Sequence, residues 1–203
     1  MVTGYNETMR RTTFILLFLL VLVFFTAAEA VNESRYWVID HYEIKAVMND
    51  DGVLSVEEKI TANFHGKYHG ILRTLSIEND IRNIRCSAPF VVETENRELV
   101  IKIGDADTLL TGTVEYLLTY EQESRTVGEF VYTVPGIWSV DVHDLKFSLT
   151  IPKDRYYGCA MEIEDLHPAG KTFETTEDNN GNLVIKGTSE LVPAYGYIEL
   201  VLR

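Results

Sequence analysis

Apolar and polar residues alternate along much of the chain with a period of two. From Leu54 to Phe64 the even-numbered positions are apolar apart from Glu58, and the odd-numbered positions are polar. Such alternation is typical of a β-strand that is buried on one face. Residues 36–48 are predicted to form a second such strand, with these side chains on its inward face: Tyr36, Val38, Tyr42, Ile44, Ala46 and Met48. The segment between them, Asn49-Asp50-Asp51-Gly52, predicts a hairpin turn, because Asp-Gly readily adopts positive φ.

The remaining strands are short and closely spaced, and no helical period follows residue 30. They are predicted at residues 81–86, 90–94, 99–103, 113–122, 129–134, 145–151, 157–163, 182–186 and 195–202. About ten strands with turn residues between them favour an all-β fold, an antiparallel β-sandwich of the immunoglobulin-like kind. Glycine and histidine interrupt residues 64–76, which are expected to form a long connection. No domain boundary is visible.

A separate apolar segment precedes these strands. Its uninterrupted part is Phe14–Phe25, with Arg10 and Arg11 before it and Ala28-Glu29-Ala30 after it. A charged start, an apolar run and small residues at a cleavage site predict a secretory signal peptide over residues 1–30, followed by one exported domain over residues 31–203. The alternative is an uncleaved anchor, because the nearly all-apolar segment from Thr12 to Ala28 is close to the roughly 17 residues that can span a bilayer. N-terminal sequencing separates the two, since cleavage leaves a chain that begins at Val31.

The charge balance limits the partners of the exported domain. The chain has 18 Lys and Arg residues against 31 Asp and Glu residues, and its net charge is −13. The acids and bases within residues 1–30 cancel, so the excess acid belongs to the exported part. A nucleic-acid partner is therefore not expected, because phosphate neutralisation requires clustered Lys and Arg.

Glu58 is the acid whose position in the strand pattern is most informative about the interior. It takes an inward position between Val56 and Ile60, where an unpaired carboxylate would be strongly destabilising. Arg73 is a plausible partner, and the two residues are predicted to form a buried ion pair that fixes the long connection to the sheet. The alternative is a bulge that turns Glu58 outward.

Cys86 and Cys159 are too few for a disulfide scaffold. In an exported chain a pair of thiols tends to oxidise, and this bridge would add about 4 kcal/mol by restricting the unfolded chain. The alternative is two buried thiols, and the sequence leaves both open.

Candidate metal ligands have simpler explanations as turn residues. Asp105 and Asp107 lie in a loop where their carboxylates can cap turns. Asp178-Asn179-Asn180-Gly181-Asn182 lacks the glycine and distal glutamate spacing of a calcium loop, and Asn-Gly is a favoured hairpin turn. His65 and His69 are four residues apart, but in a glycine-containing connection without an accompanying acid or thiol. Neither a metal nor a cofactor is expected.

The sequence shows no pattern for a nucleophile, a phosphate loop or a dinucleotide site. No serine has the neighbours that mark a catalytic triad, at positions Ser55, Ser76, Ser87, Ser124, Ser139, Ser148 and Ser189. The protein is therefore expected not to be an enzyme. Four aromatic residues could supply either a contact surface or packing, namely Trp37, Trp138, Tyr156 and Tyr157.

The order of several short motifs resembles the predicted membrane proteins that carry the domain of unknown function 2207 (DUF2207). The motifs are the turn and strand Asp51 to Ile60; Phe64 with His69-Gly70-Ile71-Leu72-Arg73; Ile103-Gly104-Asp105 with Thr111-Gly112; the tyrosine strand that ends at Tyr120; Gly128-Glu129-Phe130 to Pro135-Gly136-Ile137-Trp138; and Ile151-Pro152. The resemblance implies an extracytoplasmic β-domain that transmembrane helices follow. It implies no catalytic residue.

The resemblance and the targeting segment together indicate an exported domain at the cell surface or outside the cell. The printed sequence ends at Arg203, so we expect either a shorter relative or part of a longer membrane protein, attached through the N-terminal segment or a C-terminal helix. The expected function is a non-catalytic module that binds an unknown protein or a cell-envelope polymer. The alternative is a secreted hydrolase that uses carboxylates or a bound cation.

Overall fold

The alternating segments fold into thirteen β-strands and one short helix, in a computed structural model that describes residues 35–76, 79–96, 98–124, 130–156 and 161–202. The described residues belong to one unit that begins at Arg35. The elements are β1 (Tyr36–Met48), β2 (Val53–Tyr68), β3 (Gly70–Ser76), β4 (Asn79–Cys86), β5 (Phe90–Glu95), β6 (Glu98–Gly104), β7 (Leu110–Ser124), β8 (Phe130–Val134), β9 (Val142–Ile151), α1 (Lys153–Tyr156), β10 (Met161–Leu166), β11 (Thr172–Glu177), β12 (Leu183–Val192) and β13 (Tyr197–Leu202).

The strands form three sheets. A seven-stranded sheet has the order β11-β12-β9-β1-β2-β7-β4, and two three-stranded sheets have the orders β10-β13-β8 and β3-β6-β5. Inward side chains of all three sheets share one hydrophobic core, among them Ile44, Ile60, Leu118, Leu149, Ile71, Ile101, Val134 and Ile198. Burying each such side chain contributes about 1.5–3 kcal/mol, so this shared core holds the layers together.

The hairpin of β1 and β2 forms at the predicted turn. The Asn49 side-chain oxygen accepts hydrogen bonds from the backbone N–H groups of Asp51 and Val53, at 3.0 and 2.9 Å. The two strands then pair antiparallel from Met48 and Leu54 outward. In this paired strand, the even-numbered side chains of β2 from Leu54 to Phe64 are all buried, as the alternation predicts.

The all-β sandwich is confirmed. One neighbouring pair departs from the antiparallel prediction, because β1 and β9 run parallel, with Tyr42 opposite Leu145. Periodicity along one strand gives no information about the direction of its neighbour, so this pairing required the tertiary structure. The second layer also consists of two small sheets, whereas an immunoglobulin domain has a single second sheet.

The inward row predicted for β1 is wrong at its start. The strand register shifts between Ile39 and His41, so a bulge adds one residue there. Each added residue moves the following side chains to the other face. Ile39 is therefore buried while Tyr36 is exposed, and the predicted row is correct only from Tyr42 onward.

Residues 64–76 are not a long connection, contrary to the prediction. β2 continues to Tyr68, and β3 follows directly after His69. The corner requires glycine at position 70, because a Cβ there would lie 1.9 Å from the carbonyl oxygen of Ile103. Arg73 stands in the inward row of β3 between Ile71 and Leu75, and this charge hid the strand pattern.

Several predictions fall outside the described residues. They include the signal segment at residues 1–30, Cys159 and Tyr157. Among the residues that are described, no helix is long and apolar enough to span a lipid bilayer.

Candidate functional site

The interior holds a polar cluster around Glu58, which lies at an inward position in the middle of β2. Arg73, on β3, donates from Nε to Glu58 Oε2 at 3.0 Å and from a terminal nitrogen to Oε1 at 2.8 Å. The structure thus brings together the two residues of the predicted ion pair, in the two-pronged geometry that suits arginine and a carboxylate. The register of β2 with β1 and β7 is continuous at Glu58, so no bulge turns it outward.

A tyrosine completes the coordination of the carboxylate. The hydroxyl of Tyr120, on β7, donates to Glu58 Oε1 at 2.8 Å. The remaining terminal nitrogen of Arg73 donates to the carbonyl oxygen of Thr74 at 3.1 Å, and the guanidinium carbon lies 5.4 Å from the centre of the Trp138 ring. Three donors on the carboxylate and an aromatic face on the guanidinium compensate for the loss of water.

The cluster is closed to solvent. Glu58 is 0% exposed and Arg73 is 3% exposed. Burial alone would lower the pKa of Arg73, but the Glu58 carboxylate raises it above its usual range. Burial and the same carboxylate raise the pKa of Tyr120 well above its usual range. Because Glu58 lies on β2 and Arg73 on β3, their hydrogen bonds join the seven-stranded sheet to the sheet of β3, β6 and β5.

The segment between β8 and β9 covers this cluster. Gly136 has a φ of +85°, and a Cβ there would lie 2.3 Å from a terminal nitrogen of Arg73. Because Arg73 is held by several hydrogen bonds, it cannot move aside. The position therefore requires glycine for both its backbone conformation and its close contact.

The accessible candidate site lies on the opposite, outer face of the seven-stranded sheet. A groove of about 480 Å³ crosses β1, β2, β7 and β4. Small side chains at Val47, Ser55 and Thr119 leave space that longer side chains border, namely Lys45, Glu57, Asn83, Arg85 and Glu121. This arrangement arises because Lys45, Glu57, Thr119 and Arg85 occupy one row across four strands.

A bulge in β4 shapes one wall of the groove. The register with β7 shifts between Arg82 and Arg85, and Asn83 has a φ of +55°. The Asn83 side chain donates to Glu121 at 2.9 Å, and Arg82 Nε donates to the same carboxylate oxygen at 3.1 Å. The hydrogen bonds from Arg82 and then Asn83 lower the pKa of Glu121. Bulges often re-aim side chains beside functional sites, and this one directs a fixed wall toward the groove.

Two cations border the groove without a partner at hydrogen-bond distance. In the part of the chain that the structure describes, neither the Lys45 nor the Arg85 side chain makes a hydrogen bond or an ion pair within 4 Å, although the charge of Arg85 is among the causes that lower the pKa of Glu121. Their backbones are three strand spacings apart, about 14 Å. The groove is thus bordered by two cations and by two carboxylates, Glu57 and Glu121, and the two cationic side chains keep their hydrogen-bond donors available to a ligand.

The other acids and histidines singled out from the sequence have local roles. The carboxylate of Asp105 accepts from the backbone N–H of Asp107 and from the Thr108 hydroxyl. Asp178 accepts from the backbone N–H groups of Asn180 and Asn182, at 2.8 and 2.9 Å. Both are turn caps. Across the described ranges, no three His, Cys, Asp or Glu side chains are placed to hold a metal ion.

The two histidines do not meet at a common site. His65 stacks on Tyr36 with ring centroids 4.2 Å apart. His69 Nδ1 lies 3.1 Å from the carbonyl oxygen of Thr108. Their partners differ because they lie on either side of the end of β2.

One polar contact had no signal in the sequence. His41 Nδ1 lies 2.7 Å from Asp144 Oδ2, and Lys146 donates to the same oxygen at 3.2 Å. Burial acts in the opposite direction, but the hydrogen bonds from His41 and Lys146 lower the pKa of Asp144. The residues are 103 positions apart and meet only because β1 and β9 pair in parallel.

Cys86 is half-buried at the end of β4, and its predicted partner Cys159 lies outside the described residues. The bridge therefore stays a prediction.

Trp37 and Trp138 pack edge to face with ring centroids 6.2 Å apart, so these two aromatic residues pack against the core.

A family profile matches most of the chain. The profile is described as the N-terminal domain of a predicted membrane protein (DUF2207), and it matches residues 38–203. No curated protein matches the chain.

Solved structures resemble the fold at low identity. A putative protease from Parabacteroides distasonis has a TM-score of 0.55 and 11% identity, over 85% of this chain and 41% of that one. An M1 zinc metallopeptidase from Deinococcus radiodurans has a TM-score of 0.48 and 12% identity, over 80% and 42%. Leukotriene A4 hydrolase from Saccharomyces cerevisiae has a TM-score of 0.47 and 11% identity, over 81% and 29%. The chain spans less than half the length of each. At this identity the first likeness shows the fold alone, and the other two carry no argument.

Proposed function

Because the chain belongs to the DUF2207 family, the N-terminal domain of predicted membrane proteins, we propose that it is a non-catalytic binding module. Its groove receives an extended segment of a protein or of a cell-envelope polymer that carries carboxylates. The module works outside the cytoplasm, at the cell surface, as the targeting segment and the family suggest.

The observation that supports the proposal most strongly is the pair of cations Lys45 and Arg85. Arginine binds a carboxylate through two parallel hydrogen bonds, and lysine adds a second positive charge along the groove. Because the two backbones are about 14 Å apart, an extended chain can bring a separate carboxylate to each cation without either side chain bending toward the other. The spacing therefore favours a polymer over a small molecule.

Polar side chains between the cations suit the rest of such a chain. Ser55 and Thr119 offer hydroxyl groups that donate or accept hydrogen bonds. Glu57 lies in the same row. Its carboxylate is 3.7 Å from the Lys59 nitrogen, beyond hydrogen-bond distance, so it can accept a hydrogen bond from a hydroxyl or amide group of the ligand. The groove is open and polar, which fits a ligand that exchanges with water.

The alternative, a secreted hydrolase, has no specific observation in its favour. The likeness to a putative protease shows the fold alone at 11% identity. The most buried carboxylate, Glu58, is occupied by Arg73 and Tyr120. The binding role is therefore the one that we propose.

The test measures binding of the full chain to poly-L-glutamate and to purified cell-wall fragments. Lys45→Gln and Arg85→Gln should each weaken binding about tenfold, equivalent to about 1.4 kcal/mol, and binding should weaken as salt rises. Lys186→Gln is the matched control, because Lys186 is an exposed cation on the same sheet face, in the same cross-strand row, but outside the groove. Equal losses in all three variants would argue for a diffuse charge effect and against the groove.

A thermal screen adds a second readout. A ligand at 100 times its dissociation constant raises the free energy of unfolding by about 2.7 kcal/mol. Cell-wall fragments should raise the melting temperature of the wild type and not of Arg85→Gln. A shift with calcium that EDTA reverses would instead favour the hydrolase alternative.

A further inference from the structure

Large apolar side chains are exposed at the end of the domain where β1 begins. Tyr36 is 49% exposed, Ile137 is 57% exposed and Tyr195 is 63% exposed. We call Tyr36, His65, Ile137 and Tyr195 the aromatic end. Exposed apolar groups that cluster in one region mark a surface that contacts something other than water.

Contacts through Trp37, which is partly buried, and Trp138, which is buried, place these residues at one end. Trp37 follows Tyr36 and packs on Trp138, and Ile137 precedes Trp138. The backbone N–H of Tyr195 donates to the carbonyl oxygen of Trp138 at 2.7 Å. The loops that carry Ile137 and Tyr195 therefore lie next to the first residues of β1.

The backbone at Tyr195 presents its ring outward at an energetic cost. Its φ is +64°, in the left-handed region that a bulky residue rarely adopts. A glycine or asparagine would suit this turn better, and the neighbouring Gly196 is buried. Retaining a strained and exposed tyrosine is consistent with a role in contact.

Two cations lie at this end, near the exposed carboxylates of Asp105 and Asp107 in the loop that contacts His69. Arg35 precedes β1, and Lys67 lies near the end of β2. The stem of Arg35 lies against Gly66, where a Cβ would be 3.0 Å from its Cγ. In the part of the chain that is described, neither Arg35 nor Lys67 makes an ion pair or a side-chain hydrogen bond.

We propose that the aromatic end rests on a lipid bilayer that contains anionic headgroups. Tyrosine rings are favoured at the boundary between hydrocarbon and water, and each lysine or arginine near an anionic surface adds about 1 kcal/mol of attraction. Two features of this chain select a bilayer as the occupant. The family consists of predicted membrane proteins, and the apolar run Phe14–Phe25 precedes β1 in the sequence, where as the uncleaved anchor it would keep the start of β1 near the bilayer.

This placement leaves the groove in water. Lys45 is nine residues along β1 from Tyr36, which corresponds to about 30 Å of strand. A domain that stands on its aromatic end would hold the groove away from the headgroups. The proposal rests on different residues from the groove, so either can fail alone.

The experiment uses the full chain in vesicles of phosphatidylcholine and phosphatidylglycerol. In a background of Cys86→Ser and Cys159→Ser, single cysteines are introduced as Tyr195→Cys, Ile137→Cys and, as a control, Asn180→Cys. Asn180 is exposed in the hairpin of β11 and β12, at the opposite end of the strands. Each cysteine carries an environment-sensitive fluorophore, and circular dichroism checks that each variant folds.

The proposal predicts a blue shift and quenching by a lipid-attached quencher at positions 195 and 137 and neither effect at position 180. Equal quenching at all three positions, or at none, would overturn it. A blue shift that grows with protein concentration without vesicles would also overturn it, in favour of a second copy of the chain.

The double variant Arg35→Gln and Lys67→Gln tests the role of charge. On anionic vesicles it should reduce quenching at position 195, and added salt should do the same for the wild type. On vesicles of phosphatidylcholine alone the variant should match the wild type. Unchanged quenching on anionic vesicles would overturn the assignment of anionic headgroups as the partner.

Discussion

The guanidinium of Arg73 lies edge to edge with the carboxylate of Glu58, joined by hydrogen bonds of 3.0 and 2.8 Å in an interior closed to water. The two residues belong to different sheets, so the contact links two layers of the sandwich.

Removing one partner of this pair should strongly destabilise the fold. We expect Glu58→Gln and Arg73→Gln each to lower the free energy of unfolding by about 3–5 kcal/mol, because each leaves a buried group unpaired. Urea unfolding measures this loss. The double variant Glu58→Leu with Arg73→Met should lose less than the sum of the single variants.

Lys59→Gln is the control for this pair, because Lys59 is exposed on the same strand and its change should stay within about 0.5 kcal/mol. Unchanged melting temperatures for both Glu58→Gln and Arg73→Gln would show that the pair has no structural role.

The close contact of Gly136 with Arg73 predicts a difference between two glycines. Gly136 and Gly112 both have positive φ, but a Cβ at Gly112 would meet nothing within 4 Å. Gly112→Ala should therefore lose about 1 kcal/mol from its backbone alone, and Gly136→Ala should lose clearly more. Thermal unfolding compares the two, and equal losses would contradict the proposed clash with the guanidinium.

Buried tyrosines predict a loss of stability at alkaline pH. Burial raises the pKa of Tyr116 from 10.0 to about 12. Above pH 10 the unfolded chain therefore loses this proton while the folded chain keeps it, so the free energy of unfolding falls as pH rises toward 12.

Urea unfolding at a series of alkaline pH values should show a shallower fall for Tyr116→Phe than for the wild type. The exposed Tyr195→Phe serves as the control and should follow the wild type. An identical pH dependence in all three proteins would contradict the role of burial.

The cysteine bridge can be tested by mass. If Cys86 and Cys159 are bonded in the exported protein, alkylation without a reductant leaves the mass unchanged, and alkylation after reduction adds two groups. Two alkyl groups added to the unfolded, non-reduced chain would show two thiols instead.

Part of the buried cluster was predictable from local pattern. The inward position of Glu58 follows from alternation along β2, and an inward acid requires a partner, which led to Arg73. Tyr120 was not predicted as a partner, because alternation along β7 places its ring inward without revealing that β7 lies beside β2. The strand β3 was missed for a related reason, since the charge of Arg73 interrupts its apolar row.

By itself, the sequence determined which side chains of β2 face inward, where the first hairpin turns, and that residues 31–203 are acidic and all-β. These features depend on neighbours along the chain, whose geometry repeats every two residues. Only the tertiary structure decided the bulge in β1, the parallel pairing of β1 with β9, and the groove that brings Lys45 and Arg85 into one row. These depend on contacts between distant segments, which the packing of the whole core selects and which no local repeat encodes.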